Sequence, residues 1–415
     1  MKHLLPLLGL LIGSLALGAA DWPQFRGPDG QGHTQATDLP TEWSATKNVV
    51  WKQAIPGSGW SSPVVVAGKV YLTAAVPIDK SEDLSLRALC LDASTGKIAW
   101  DNEVFRQVAT GSPNIHGKNS HASPTPIVEQ GKLYVHFGHQ GTACLDLAGK
   151  TLWTNRDLKY APVHGNGGSP VLVDGLLVFS TDGASVREVV ALDAKTGKVK
   201  WRTPRSGKAG TQNFSFSTPL VIEVAGKKQI VSPATDMVGA YDPATGAEVW
   251  KVRYKGYSVI PRPVFGHGMI FISTGYNTAS VLAIKADGKG DVTDTHLVWT
   301  LKKGAPHTPS LLLVGEELYM VSDKRPCLGT CVDAKTGKVH WQETLAGHDY
   351  SASPIYADGK IWFLSEDGIG TVVKAGKTYQ PIARNPLGEK TLASYAAIDG
   401  ALFIRTAGHL YRIGK

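Results

Sequence analysis

Six times along its 415 residues the chain opens a short apolar run with a Ser-Pro or Thr-Pro pair. These are Ser62-Pro63, Ser123-Pro124, Ser169-Pro170, Thr218-Pro219, Thr308-Pro309 and Ser353-Pro354, with Arg262-Pro263 as a variant. The intervals run from about 44 to 61 residues, the signature of an architecture built by repetition. A second signature closes the units: "LDASTGKIAW" ending at Trp100, "LDLAGKTLW" at Trp153, "LDAKTGKVKW" at Trp201, "YDPATGAEVW" at Trp250, "THLVW" at Trp299 and "VDAKTGKVHW" at Trp341. Within a unit, "SPVVVAGKVYLTA" predicts two strands joined at a Gly turn. Asp-x-x-Thr-Gly-Lys predicts a hairpin in which Asp and Thr bond the turn backbone and Gly supplies φ > 0. Four strands per unit at this period predict a β-propeller blade, with the closing Trp packed between neighbouring sheets.

Seven Pro anchors lie between Pro63 and Pro354, and "LASYAAIDGALFIRTAGHLYRIGK" repeats the pattern with Tyr395 in place of proline, which makes eight units. The eighth lacks its Trp-bearing fourth strand. The orphan strand "NVVWK", residues 48–52 with Trp51, is expected to supply it, so that the ring closes and hides its open edges. The reading is all-β: one eight-bladed propeller over 48–415, preceded by an irregular arm over 21–47. A composition of 46 Gly, 24 Pro and 11 Trp agrees with many short strands.

Residues 1–20 carry a basic start, an apolar run from Leu4 to Leu17 and a small-residue end, the layout of a cleavable secretory signal. The run is short for a membrane span, and no cysteine follows it to accept a lipid, so a soluble periplasmic or secreted monomer is expected. The net charge of +8 is spread along the chain rather than clustered, which argues against a nucleic-acid partner. Cys90, Cys144 and Cys331 occupy equivalent strand positions in different repeats and are expected to be free and buried. Cys327 and Cys331 pair only if "CLGTC" is a tight loop.

The unit "SPxxxxGKxYxxx…LDAxTGKxxW" resembles the quinoprotein-type repeat of the pyrroloquinoline-quinone (PQQ) dehydrogenases and the BamB lipoproteins, and "DWPQFRGPDGQG" looks like the start of exported PQQ-like propellers. The resemblance covers nearly the whole chain and implies the fold; function does not follow from fold. It also implies what a PQQ site would need, namely a Trp under the cofactor, Ca²⁺ held by Glu, Asn and Asp, and a vicinal Cys-Cys disulfide. This chain has no adjacent cysteines, and a PQQ dehydrogenase is not expected.

A propeller binds ligands at the mouth of its channel, on the loops that lead into the innermost strands. Those loops carry Trp60; His116, Lys118, Asn119 and His121; His164 and Asn166; Gln212, Asn213 and Phe214; Tyr257 and Arg262; His307; and His348, Asp349 and Tyr350. Two functions are open, with a PQQ-dependent redox protein kept as a third only because the repeat resembles that family. In the first, the funnel binds a small molecule, glycan fragment or protein partner, with Trp60, Phe214, Tyr257 and Tyr350 stacking on rings. In the second, His116, His121, His164, His307 and His348 hold a divalent metal for a hydrolase or lyase, with Arg262 neutralising a substrate carboxylate and Tyr350 or a spare histidine as acid or base. His136 and His139, on a strand and its turn, are poor ligands. Asp287, Asp291 and Asp294 lack the spacing of a calcium loop.

Overall fold

The computed structural model describes residues 21–79, 81–109, 115–206, 212–277 and 279–414. The predicted secretory signal lies outside them. The described strands form eight antiparallel sheets in ring order: blade one over 64–107, two over 127–155, three over 171–204, four over 220–253, five over 264–301, six over 312–344, seven over 355–386 and eight over 396–414. Val49–Ala54 completes blade eight, pairing with His409–Gly414 so that Lys52 faces Tyr411 and Gln53 faces Leu410. The chain's beginning thus closes its end, as the orphan strand predicts. No helix among the described residues is long and apolar enough to cross a membrane.

The core lies between blades. Val64, Tyr71, Leu86 and Cys90 of blade one pack on Leu133, Val135, Ala143 and Leu145 of blade two, and comparable clusters recur around the ring. The four cysteines are buried and free. The outer hairpins lock each interface. In blade three, Asp193 Oδ1 accepts the backbone N–H groups of Lys195 (3.1 Å) and Thr196 (2.9 Å) and the Thr196 hydroxyl (3.0 Å). The indole N–H of Trp153, on the outer strand of blade two, donates to Ala194 O in that turn at 3.1 Å. Trp51, Trp100, Trp201 and Trp299 dock in the same way on Ala93, Leu147, Pro243 and Ala334 of the following blade.

Trp250 departs from the pattern and donates to Gln229 Oε1 within its own blade. Blade five has no such hairpin to receive it; there Gly290–Asp291 instead adds a parallel fifth strand to blade four. Asp291 accepts Arg253 Nε at 2.9 Å and the Thr293 hydroxyl at 2.6 Å, an acidic turn bonded to its own surroundings.

A ring of hydroxyls encircles the channel. The backbone N–H of Ser62 donates to Thr125 Oγ1, Thr125 to Ser169, Ser169 to Thr218, Arg262 to Ser310, Ser310 to Ser353, Ser353 to Ser394, and Ser394 back to Ser62, at 2.9 to 3.1 Å. The ring corrects the register of two anchors. Thr125 and Ser310, rather than Ser123 and Thr308, are the equivalents of Ser62. "SPTP" contains two candidate pairs, and "HTPSLL" places its ring hydroxyl after the proline.

The arm enters the channel from the end opposite these anchors. Trp22 pairs with Val65 (N···O 2.7 and 2.9 Å), Pro23 O accepts from Val128 N–H, Gln31 Oε1 accepts from Phe265 N–H, and Gly32 O accepts from Tyr356 N–H. These partners lie on the innermost strands of blades one, two, five and seven. The arm is therefore a plug bonded on several sides, with Trp22 fully buried.

Candidate functional site

Above the plug, the hydroxyl ring opens into a cavity of about 600 Å³ that Phe25 of the arm lines from below. Its wall is polarised. Through the loops of blades two to six runs an arc of rings in successive contact: His116 to His164 (5.5 Å between centroids), His164 to Phe214 (5.3 Å), Phe214 to Tyr257 (5.7 Å), Tyr257 to Tyr276 (5.6 Å) and Tyr276 to His307 (5.9 Å). Most of these contacts are edge-on, an arrangement that rings favour electrostatically. The opposite side presents Trp60, Leu392 and the hydroxyls of Ser62, Ser351, Ser353 and Ser394.

Polar ties fix the arc. Asn119 Nδ2 donates to His164 O at 2.8 Å while its Oδ1 accepts from Ser120 N–H and the Ser123 hydroxyl. His307 gives both its backbone N–H (2.8 Å) and its ring Nδ1 (2.7 Å) to Asp323 Oδ1. Burial pushes the Asp323 carboxyl up, but those hydrogen bonds outweigh it and hold the group below its ordinary range. Lys324, next in the chain, lays its ammonium 5.2 Å over the Tyr276 ring. Lys118 reaches from the loop before blade two to blade seven, 2.9 Å from Glu366 Oε1 and 3.6 Å from Asp349 Oδ2. Burial lowers the pKa of His164, and His116 beside it acts in the same direction.

The loops before the inner strands thus bring Trp60, His116, Lys118, Asn119, His164, Gln212, Phe214, Tyr257 and His307 to one cavity. Others lie elsewhere. Arg262 is buried beneath the funnel, where its Nε donates to Pro219 O and its Nη1 to Phe25 O, because the residue at its ring position has no hydroxyl and spans the gap to the plug instead. Tyr350 is fully buried between blades six and seven with its hydroxyl on Ala346 O. His121 turns to Gln107, 2.9 Å away, and burial lowers its pKa. His348 sits at the rim against Arg325. Asn166 ties Tyr160 to His139. Asp349 sits at the rim as a partner of Lys118, and Asn213 is outside the cavity lining.

The five-histidine set therefore does not gather at a point, and among the described residues no group of three or more His, Cys, Asp or Glu side chains is placed to hold a metal ion. His136 is buried against Phe179 of blade three, with its pKa held down to about 3, first by burial and then by His139.

Three lining residues come from loops other than those that precede the innermost strands. Tyr276, Asp323 and Lys324 follow the second strands of blades five and six. In an antiparallel meander those loops emerge at the same end as the ones preceding the first strands, so strand parity alone could have pointed to them.

Comparison with known proteins places the fold. Among solved structures, BamB from Moraxella catarrhalis aligns with a TM-score of 0.61 at 14% identity, covering 88% of this chain and 97% of that one. The quinohemoprotein alcohol dehydrogenase ADHIIG from Pseudomonas putida HK5 aligns at 0.66 and 14%, covering 95% and 80%. Among curated proteins, methanol dehydrogenase (cytochrome c) subunit 1 of Methylobacterium organophilum is 30% identical over 32% of this chain and 23% of its own length. Tetrathionate hydrolase of Acidithiobacillus ferrooxidans is 24% identical over 48% and 42%. The chain spans less than half the length of either curated relative. The family described as outer membrane protein assembly factor BamB matches residues 81–231 and 234–378, well over half of the sequence. Repeat, ring closure and sequence match agree that this chain belongs to that family of PQQ-like β-propellers.

Proposed function

We propose that the protein is an exported binding propeller whose funnel captures a small ligand with a flat apolar face, a glycan fragment being the class that fits. The arc of rings from His116 to His307 carries this reading. The rings other than the buried Phe214 are at least partly exposed and offer surface on which a sugar can stack, and the serine hydroxyls opposite can exchange hydrogen bonds with its hydroxyl groups. The volume suits a ligand of ordinary small-molecule size. Export is supported by the basic start and apolar run of residues 1–20.

The residues do not fit PQQ as the dehydrogenase repeat implies it. Phe25, not an indole, lines the floor. The cysteines are single buried thiols, and the cavity's carboxylate Asp323 is committed to His307. A metal-dependent hydrolase loses its main support with the dispersal of His121 and His348.

Titration calorimetry of the whole protein with β-1,4-linked glucose oligomers, and separately with PQQ, tests the reading. Saturable oligomer binding that Tyr257→Ala weakens about fivefold is expected, since one ring contact contributes about 1 kcal/mol. Stoichiometric PQQ binding with no response to the oligomers would overturn it.

A further inference from the structure

The acidic groups at the funnel mouth are already engaged. Asp323 takes both N–H groups of His307, Glu366 takes Lys118 and the Ser351 hydroxyl, Asp349 faces Lys118, and Asp367 accepts from Ser365 and from the His348 backbone. The donors around Tyr276 are different. Lys324 is exposed, with its ammonium over the face of that ring. His307 lines the same part of the cavity with Nδ1 committed to Asp323, which leaves Nε2 for a ligand. An ammonium and an imidazole therefore both lie beside the Tyr276 ring.

Resting on the binding reading above, we propose that the ligand is a ring bearing a carboxylate, as a uronic acid is, with Lys324 Nζ and His307 Nε2 as its anion-binding pair and Tyr276 and Tyr257 under its ring. A charge-assisted contact of this kind is stronger than a neutral one. The charged and titratable groups around His307 are Asp323 and Lys324 from blade six, Tyr276 from blade five and Lys118 from the loop before blade two, which interacts with Asp323 at longer range. Nε2 donates to a carboxylate when the ring carries both protons, with Nδ1 held on Asp323.

The test is calorimetry with a galacturonic acid trimer and a neutral glucose trimer, on the wild type, Lys324→Ala and Tyr257→Ala. The acidic trimer is expected to bind about tenfold more tightly than the neutral one. That preference should disappear in Lys324→Ala and shrink with added salt, while Tyr257→Ala weakens both trimers. Equal affinities in the wild type, both sensitive to Tyr257→Ala, would overturn the carboxylate pair and leave the funnel reading standing. Failure of both trimers to bind would overturn the two together. Binding of PQQ in their place, lost in Lys324→Ala, would contradict the sugar as the source of the carboxylate.

Discussion

Gly197 shows how much one position in the repeat must satisfy. Its φ of +72° is strained for any L side chain, and a Cβ there would lie 2.4 Å from Cε3 of the Trp153 ring. The "TG" dipeptide thus provides the turn and also the flat surface on which the preceding blade's indole lies. Gly197→Ala is expected to lower stability by about 1 to 3 kcal/mol, seen as a lower urea midpoint; an unchanged midpoint would show that the indole can slide aside at no cost. The same residue-level logic explains what could be read in advance. Trp51, Trp100 and Trp153 declare their position because nothing but a docking surface accounts for an indole at each repeat. Arg262 and Tyr350 misled because position in a loop does not set the direction of a side chain. Arg262 points down to the Phe25 carbonyl and Tyr350 back into its blade interface.

At the seam, the ring closes through Val49–Ala54 rather than through a covalent continuation, and the neighbouring side chains secure it. Glu389, in the loop between blades seven and eight, meets His409 Nδ1 at 3.0 Å and the Tyr411 hydroxyl at 2.8 Å, with Lys52 of the closing strand 3.6 Å away. Burial raises its pKa, but hydrogen bonds from His409, Thr406, the Gly408 N–H and Tyr411 outweigh that and bring it from 4.5 to about 2. A carboxyl that binds its proton more weakly when folded adds stability above its unfolded pKa and gives it up as pH falls toward the folded one. The wild type should therefore be more stable than Glu389→Gln by about 1 to 3 kcal/mol at pH 7, with the gap closing between pH 4.5 and 2. Urea unfolding of both proteins across that range checks this, and a gap independent of pH would contradict it. The hairpin motifs made blade eight and its closing strand legible; Glu389 was not, because its role depends on residues from three separated segments meeting at the seam.

Across the whole molecule, the ring of hydroxyls, the plug and the arc of rings are three layers along one axis. The plug sets the depth of the funnel. Trp22 bonds blade one and Phe25 faces the ligand space from below, so a stretch that reads as an irregular arm is part of the site's architecture. The number of blades and their order followed from local repetition, which registers in sequence every few dozen residues. The arm's path did not, because its contacts with Val65, Val128, Phe265 and Tyr356 join residues far apart in the chain and leave no periodic trace. Convergence of the wall was partly legible for the same reason: blade register groups His116, His164, Phe214, Tyr257 and His307, but only the assembled ring adds Tyr276, Asp323 and Lys324. The most direct measurement is a crystal structure of the protein grown with a saturating sugar oligomer. Electron density for a sugar ring is expected in the funnel, within about 4 Å of the Tyr257 ring; an oligomer bound on the outer strands with the funnel holding only water would contradict the binding role of the funnel.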